Sequence, residues 1–475
     1  MQAYWTGDEM RRAPLRGDVH TDVAVIGAGM AGILIARRLH DRGIRTVVVT
    51  AGQVGDGQTS RTTAKITMQH GIIYTRLAAR YGMAYAASYA AANAAALRHF
   101  REWTEQEEVA CDYETVDGYL YTQKGTELLK KEGALLRSLG YAADVTEDVP
   151  LPFSVHGALR MSGQAVFHPL RFLSRLSADL TIYGDSRVLR ADRNCLFCEE
   201  GRVFADQIVF ATHYPFVNFP GMYFTRMHKE RSYVLALSGV TVPGIFQAAE
   251  AGGYTMRPLP EGGILFGGEN HRAGSGGGGH YAALREAAGR LFPGAKVRAA
   301  FSAEDCMTPD GVPYIGHYGA GRRNWYVASG FCKWGMSHAM VAADILPCMI
   351  AGEAVPSYAP VFAPQRFHAE NIGGVLREGA HATGGLALTL FSQPDRTPDQ
   401  LAAGEGALCV SHGHKVGAYR SPDGSLHTVS AACPHLGCEL HFNADDRTWD
   451  CPCHGSRFGA EGEWISGPAQ KNITK

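Results

Sequence analysis

Two short segments near the end of the chain combine cysteine and histidine at close spacing. CPHLGC occupies residues 433–438, and CPCHGS occupies residues 451–456. Each segment pairs one cysteine with one histidine and carries a second cysteine beside the pair. Thiolate and imidazole groups are common ligands of zinc and iron. The spacing therefore predicts two loops that enclose one metal centre.

The donor set separates two kinds of centre. A structural zinc site also uses cysteine and histidine at short spacing. A [2Fe–2S] cluster with mixed ligation needs two thiolates on one iron and two imidazoles on the other. We assign Cys433 and Cys451 as the thiolates and His435 and His454 as the imidazoles. Because both loops repeat the pairing and carry a flanking cysteine, the sequence favours the cluster over zinc.

These segments resemble the Rieske ferredoxin family. CPCHGS matches the family pattern, CPHLGC differs from its C-T-H-L-G-C only at Pro434, and Gly-Pro-Ala at 467–469 resembles the loop that covers the cluster. Cys438 and Cys453 remain, one in each loop, and we expect a disulfide between them. The resemblance implies an all-β Rieske [2Fe–2S] domain over residues 397–475 that carries electrons singly.

A second pattern lies near the start of the chain. Residues 21–26, a strand-like segment that ends in the apolar run VAVI, lead into Gly-Ala-Gly-Met-Ala-Gly, whose glycines are Gly27, Gly29 and Gly32. An amphipathic segment and TVVVT follow. In such a βαβ unit the glycines let the backbone approach a pyrophosphate at the helix N-terminus. Thr50 stands where an acidic residue would bind a ribose hydroxyl. The unit alone fits FAD and NAD equally.

Further motifs resemble the glycine/D-amino-acid oxidase (DAO) group of FAD-dependent oxidoreductases, in the bacterial subgroup with a C-terminal Rieske domain. They are QAVFHP at 164–169, ATHYP at 211–215, MTPD at 307–310, PYIG at 313–316 and GFCKWGM at 330–336. The resemblance implies FAD and an α/β fold, with a Rossmann-like FAD-binding domain and an interleaved α+β antiparallel-sheet substrate domain. It places the flavoprotein part at 1–365, its substrate domain near 75–150 and 216–300, and a linker at 366–396.

The resemblance also implies individual site residues. Lys333 takes the place of an arginine that binds the substrate carboxylate in relatives, although lysine is a point charge rather than a bidentate fork. We expect Lys333 and His213 to take part in catalysis, with His168 as another polar residue near the flavin. We expect FAD to be bound non-covalently. Besides the three glycines, the expected FAD contacts are Thr50, Thr59, Arg61, Thr62, Thr63, Lys65, Val188, Thr212, Gly330, Gly335 and Met336.

Composition and spacing exclude several classes of function. Lysine and arginine number 45 against 46 aspartates and glutamates, so no charge excess indicates nucleic acid. Neither a run of eighteen apolar residues nor an apolar N-terminal segment occurs, and we expect a cytoplasmic protein without a membrane span. No two histidines stand four or five residues apart, as the mononuclear iron of a Rieske oxygenase would need.

The glycine-rich residues 274–279 lack a phosphate-loop pattern. We expect them to form a flexible surface loop.

Together the two modules predict a direction of electron flow. Histidine ligation raises a Rieske centre to roughly −150 to +300 mV, against roughly −400 mV for plant-type clusters. We therefore expect a dehydrogenase that oxidises an amine or amino-acid-like small molecule and passes electrons through the cluster to an external acceptor, a protein or a quinone. We expect them to leave at an exposed histidine edge of the cluster. The alternatives are a reductase fed by an external donor and a non-catalytic redox sensor.

Overall fold

The computed structural model describes residues 4–6, 11–366, 373 and 394–474. Most of the expected linker, 366–396, lies outside these residues. Among the described residues, none of the helices combines the length and the apolar content needed to cross a membrane. The helices are α1 (Met30–His40), α2 (Tyr74–Tyr81), α3 (Met83–Gln106), α4 (Glu127–Ser138), α5 (Pro169–Leu176), α6 (His280–Leu291), α7 (Gly335–Ala351) and α8 (Ala359–Phe362).

The strands before residue 366 belong to two sheets. They are β1 (Gly17–Ile26), β2 (Thr46–Val49), β3 (Lys65–Ile66), β4 (Glu114–Thr122), β5 (Asp144–Thr146), β6 (Gly157–Val166), β7 (Thr181–Tyr183), β8 (Val188–Asp192), β9 (Cys195–Cys198), β10 (Gly201–Phe210), β11 (His228–Ser238), β12 (Gly244–Ala248), β13 (Thr255–Pro258), β14 (Ile264–Arg272), β15 (Lys296–Met307), β16 (Tyr314–His317) and β17 (Trp325–Ser329).

The first sheet is mostly parallel and has the order β16-β17-β10-β1-β2-β7. β1 pairs in parallel with β2 and with β10, and α1 connects β1 to β2. Val23, Ala24 and Val25 are all fully buried, as expected for a parallel strand covered on both faces. The α/β fold predicted for the cofactor-binding part is confirmed.

The second sheet is mostly antiparallel and has the order β15-β11-β14-β13-β12-β4-β6-β3. Its only parallel pair in the described chain joins β4 and β12. Along the sequence, the strands of this sheet alternate with those of the first, as expected for the substrate domain. Its strands β3 and β6 lie wholly beyond the expected ranges 75–150 and 216–300, and β15 lies partly beyond them. The boundaries of the domains remain predictions.

The C-terminal part contains only short antiparallel strands between residues 406 and 466. One sheet has the order β18-β19-β20, another has the order β21-β22-β23-β24, and Trp449 is fully buried in this part's core. The all-β prediction is confirmed. The strands are β18 (Gly406–Ser411), β19 (His414–Arg420), β20 (Leu426–Ser430), β21 (His441–Asn443), β22 (Thr448–Asp450), β23 (Arg457–Gly459) and β24 (Trp464–Ser466).

The glycine-rich segment 274–279 is a mostly exposed loop, as predicted, but it also contacts the C-terminal part. Ala444 of the C-terminal part donates its backbone N–H to the carbonyl oxygen of Gly277 at 3.3 Å. A Cβ added to Gly274 would lie 2.5 Å from the nitrogen of Pro452. Gly274 is therefore needed for the close approach of two backbones, since a side chain there would collide with the loop that holds Cys451.

Candidate active site and metal centre

The cysteine and histidine residues lie in two matching loops. Residues 433–438 connect β20 to β21, and residues 451–456 connect β22 to β23. In the first loop the N–H of Gly437 donates to the oxygen of Cys433 at 2.9 Å, and in the second that of Gly455 donates to Cys451 at 2.9 Å. In each loop this hydrogen bond forms a turn that begins at the first cysteine. Cys433 and Cys451 therefore occupy equivalent positions in two similar turns.

The four predicted cluster ligands come together in the structure. Cys433 and Cys451 are buried and their thiols are hydrogen-bonded to each other, which lowers the pKa of Cys433. The rings of His435 and His454 have centroids 4.9 Å apart and planes at 87°. Cys438 and Cys453 form the expected disulfide between the loops. The ligand assignment itself remains a prediction.

The protonation state of the imidazoles fits metal binding. Burial and the neighbouring His454 lower the pKa of His435 to about 3, so its ring is neutral at ordinary pH. Nδ1 of His435 is buried and has no hydrogen-bond partner among the described residues, while Nε2 lies 2.8 Å from Oδ1 of Asn218. Metal ligation requires a neutral imidazole with a free nitrogen. Two thiolates and two imidazoles are the donor set of a Rieske cluster.

The glycine turn between β1 and α1 forms a tight cradle. Gly27 has a φ of +105°, and a Cβ there would lie 2.5 Å from the oxygen of Ala211. A Cβ on Gly32 would lie 1.8 Å from the oxygen of Gly27, so Gly32 is required for packing of the helix against the turn. The hydroxyl of Thr59 accepts a hydrogen bond from the N–H of Met30 at 3.1 Å. This arrangement leaves the start of α1 accessible to a pyrophosphate.

A cavity of about 1050 Å³ opens from this cradle. It contacts residues of both sheets and, beyond them, residues of the C-terminal part. The predicted catalytic residues Lys333 and His213 line it, whereas His168 lies elsewhere, as the N-cap of α5. All the predicted FAD contacts except Gly32 line the cavity: Gly27, Gly29, Thr50, Thr59, Arg61, Thr62, Thr63, Lys65, Val188, Thr212, Gly330, Gly335 and Met336.

Lys333 is already paired with acidic side chains. Its Nζ lies 3.0 Å from Oε2 of Glu230 and 3.6 Å from Oδ2 of Asp305, and it donates to Oγ of Ser232 at 3.2 Å. Burial alone would lower the pKa of Lys333, but the carboxylates of Asp305 and Glu230 raise it. The sequence did not predict these carboxylates. They make this wall of the cavity mixed in charge rather than simply cationic.

Two other side chains that line the cavity have pKa values lowered by burial, which favours their neutral forms. Burial and the neighbouring Lys229 lower the pKa of His213 to about 3, and its Nε2 is buried without a hydrogen-bond partner among the described residues. Burial and the nearby Arg257 lower the pKa of Lys65 to about 7, and its Nζ donates to Oγ1 of Thr255 at 2.5 Å. His213 is thus a neutral hydrogen-bonding group and a weak base.

Trp334 and the histidines behind it form an aromatic wall. The indole of Trp334 stacks on His70 with centroids 4.4 Å apart. The Tyr89 hydroxyl lies 2.7 Å from Nδ1 of His70 and 3.0 Å from Nε2 of His338, whose Nδ1 lies 2.9 Å from the oxygen of Phe331. This chain fixes the turn 330–335 that carries Lys333. Trp334 therefore packs on a buried imidazole.

A buried charge network connects the cavity to the cluster loops. Glu304 lines the cavity, and its carboxylate lies 3.2 Å from Nζ of Lys229 and 3.0 Å from Nη2 of Arg231. Burial alone would raise the pKa of Glu304, but these two cations hold it far below its usual range. Arg231 also pairs with Asp446 at 3.2 Å and with Asp450 at 2.8 Å in the C-terminal part.

Lys229 reaches the second loop directly, because its Nζ donates to the oxygen of Gly455 at 3.1 Å. This network was not predicted from the sequence. The only signal available was the run His-Lys-Glu-Arg at 228–231, which opens the otherwise apolar strand β11. Since lysine and arginine are almost never fully buried unless paired, such a run in a strand indicates ionic partners elsewhere in the chain.

Family models match the chain in two places. The FAD-dependent oxidoreductase (DAO) family matches residues 22–347, and the Rieske [2Fe–2S] domain matches residues 393–475. Both matches agree with the two sites described above.

Relatives match the chain over very different lengths. YhfW of Bacillus subtilis (strain 168), which is described as a Rieske 2Fe–2S iron–sulfur protein, is 33% identical over 493 aligned positions that cover 99% of this chain and 97% of YhfW. The cytochrome b6-f complex iron–sulfur subunit of Microcystis aeruginosa is 37% identical over 86 residues, which cover 18% of this chain and 44% of that subunit. The likeness to that subunit is therefore confined to one end of the chain.

Solved structures resemble the flavoprotein part. Glycine oxidase from Geobacillus kaustophilus has a TM-score of 0.62 at 17% identity, covering 74% of this chain and 99% of that one. L-proline dehydrogenase from P. horikoshii has a TM-score of 0.61 at 15% identity, covering 74% and 98%. L-amino acid deaminase from Proteus vulgaris has a TM-score of 0.60 at 15% identity, covering 76% and 99%. At these identities the likeness shows the fold.

The glycine cradle, the paired loops and the family matches lead to one conclusion. The chain belongs to the FAD-dependent oxidoreductase (DAO) family, carries a C-terminal Rieske [2Fe–2S] domain, and has FAD and a [2Fe–2S] cluster as its cofactors.

Proposed function

We propose that this protein is a dehydrogenase that oxidises a small amine or amino-acid-like molecule and delivers the electrons singly to an external acceptor, a protein or a quinone. When bound, FAD accepts a hydride and the Rieske cluster accepts one electron at a time. One observation carries the proposal: Lys229 lines the cavity and donates to the oxygen of Gly455, the residue after His454. The two cofactor sites are therefore neighbours in one chain.

The charges in the cavity support a substrate that bears both an amine and an acidic group. Lys333 offers an ammonium group, and Asp305, which also lines the cavity, offers a carboxylate. Burial raises the pKa of Asp305, whereas the ammonium group of Lys333 opposes this shift and favours the ionised carboxylate. In this proposal Lys333 binds the carboxylate of the substrate and Asp305 binds its ammonium group.

The remaining groups orient the substrate and exclude water. His213 is neutral and supplies a hydrogen bond rather than a charge, because burial lowers its pKa to about 3. Trp334, held by His70, supplies a flat apolar surface for the carbon skeleton. Glycine oxidase, L-proline dehydrogenase and L-amino acid deaminase, which share the fold, are named for amino-acid substrates. These names support the same substrate class here.

An anaerobic titration of the purified protein tests this function. A panel of amines and amino acids is added, and bleaching of the flavin band is followed beside loss of the visible bands of the cluster. We expect at least one amino-acid-like compound to reduce both centres, and Lys333→Met to weaken its binding roughly tenfold. Lys296→Met, which removes an exposed lysine of β15, is the matched control. Reduction within seconds by NADH alone would instead make the protein a reductase.

A further inference from the structure

The end of β2 is where the FAD site departs from the usual pattern. Thr50 stands there in place of an acidic residue that would bind a ribose hydroxyl. The oxygen of Thr50 accepts a hydrogen bond from the N–H of Ser186 at 2.8 Å. This bond places Arg187, which follows Ser186 and lines the cavity, beside the end of β2.

The Rieske domain covers this end of the cavity. Trp464 and Gln470 line the cavity, although both lie outside the DAO match at 22–347. The guanidinium carbon of Arg187 lies 3.6 Å from the centroid of the Trp464 ring. Nη2 of Arg187 donates to Oε1 of Gln470 at 3.3 Å and to the oxygen of Ala469 at 3.5 Å. Arg187 therefore fastens the Rieske domain to the wall of the cavity.

Two hydrogen-bond donors at this place have no acceptor within the part of the chain that the structure describes. Nε1 of Trp464 and Nε of Arg187 are both buried, and neither has a hydrogen-bond partner among the described residues. Buried donors are nearly always satisfied, so donors in a cavity wall that lack a protein acceptor indicate a bound molecule. The ADP half of FAD is rich in acceptors, since it carries ribose hydroxyls, phosphate oxygens and adenine nitrogens.

We propose that the Rieske domain forms part of the FAD site, and that Trp464 and Gln470, with Arg187, hold the ADP half of the cofactor. The free N–H groups of Trp464 and Arg187 donate to acceptors of the ADP half at the place where Thr50 stands instead of an acidic residue, and Gln470 holds Arg187 there. The Rieske domain is thus a structural component of the flavin site as well as an electron carrier. Retention of FAD depends on two side chains that lie more than 100 residues beyond the matched flavoprotein region.

The test measures FAD affinity in the full-length holoprotein. Each variant is diluted, and the rise in free-FAD fluorescence gives the dissociation constant. Trp464→Phe keeps an aromatic ring over Arg187 but removes the N–H, and we expect the dissociation constant to rise roughly tenfold. Gln470→Ala is expected to raise it in the same direction. The absorption spectrum of the bound flavin should stay unchanged, because the contacts are to the ADP half.

A control separates FAD contacts from docking of the domain. Arg272 donates to the oxygens of Pro452 at 3.2 Å and Cys453 at 3.5 Å, outside the lining of the cavity. Arg272→Met therefore weakens docking without touching FAD, and we expect its FAD affinity to match that of the wild type. The cluster's EPR signal verifies folding in every variant. The proposal is overturned if Trp464→Phe and Gln470→Ala bind FAD like the wild type, if Arg272→Met loses FAD equally, or if the flavin spectrum shifts.

Discussion

Nε2 of His435 lies 2.8 Å from Oδ1 of Asn218, so a predicted cluster ligand is hydrogen-bonded to the flavoprotein part of the chain. The ring of Phe224 meets His435 and His454 nearly edge-on, with centroids 6.4 and 6.0 Å away. His454 is only 1% exposed. The expectation of an exposed histidine edge is wrong for His454, whereas His435 is half-buried. The loop after β10 covers that side of the cluster loops.

Asn218 is predicted to tune the cluster. As an acceptor it makes the His435 imidazole more electron-rich and favours the oxidised cluster. Asn218→Ala should therefore raise the reduction potential, measured by EPR-monitored redox titration, while flavin reduction by substrate keeps its rate. The control is Asn443→Ala, which removes a 3.1 Å hydrogen bond to Tyr233 and does not touch His435 or His454. An unchanged potential in Asn218→Ala would show that this contact does not reach the metal.

The identity of the metal can be measured directly. Purified protein should contain two irons per chain and, after reduction, give the EPR signal of mixed nitrogen and sulfur ligation. Cys438→Ser should weaken the cluster without preventing its assembly, because Cys438 forms a disulfide with Cys453. Zinc in place of iron in freshly isolated, folded protein would contradict the assignment. Complete failure of Cys438→Ser to bind iron would contradict the assigned ligands.

The glycine cradle gives a second test of the cofactor. Gly32→Val should abolish FAD binding, because even the first side-chain carbon would lie 1.8 Å from the oxygen of Gly27. Gly289→Ala in α6 is the matched control, since a Cβ there meets nothing within 4 Å. FAD is measured in the supernatant after acid precipitation, which releases only non-covalent flavin. Yellow protein remaining in the pellet of the wild type would show covalent attachment.

Much of this architecture follows from local sequence, but the domain contacts do not. The βαβ unit at Gly27 and the loops at Cys433 and Cys451 depend on short-range spacing, which a single sequence displays. Lys333 pairs with Glu230 on β11 and Asp305 on β15, and Lys229 donates to Gly455 in the Rieske domain. These contacts depend on how two sheets and the Rieske domain meet, and no local pattern encodes that. The paired state of Lys333 was therefore not predictable.

Buried histidines predict a loss of stability in acid. Burial lowers the pKa of His338 to about 3, below an unfolded value near 6.5. Between these two values the unfolded chain binds a proton that the folded chain does not, so stability falls as the pH drops from about 6.5 towards 3. The free energy of unfolding should lose about 1.4 kcal/mol per pH unit through this residue.

Urea unfolding at pH 7 and pH 5 measures this effect. His338→Gln should show a smaller loss of the urea midpoint between the two pH values than the wild type. His40→Gln, at an exposed position of α1, should behave like the wild type and serves as the control. Equal acid sensitivity in His338→Gln and the wild type would mean that His338 does not contribute.

The route of the electrons is the central claim, and His454→Cys tests it most directly. A thiolate in place of a neutral imidazole lowers the potential of the cluster and weakens it as an electron sink. The protein is mixed anaerobically with substrate and ferricenium, and flavin absorbance is followed beside the EPR signal of the cluster. We predict that flavin reduction by substrate keeps its wild-type rate while transfer to ferricenium slows. Rapid ferricenium turnover in a variant that keeps its altered cluster would show that electrons leave the flavin by another route.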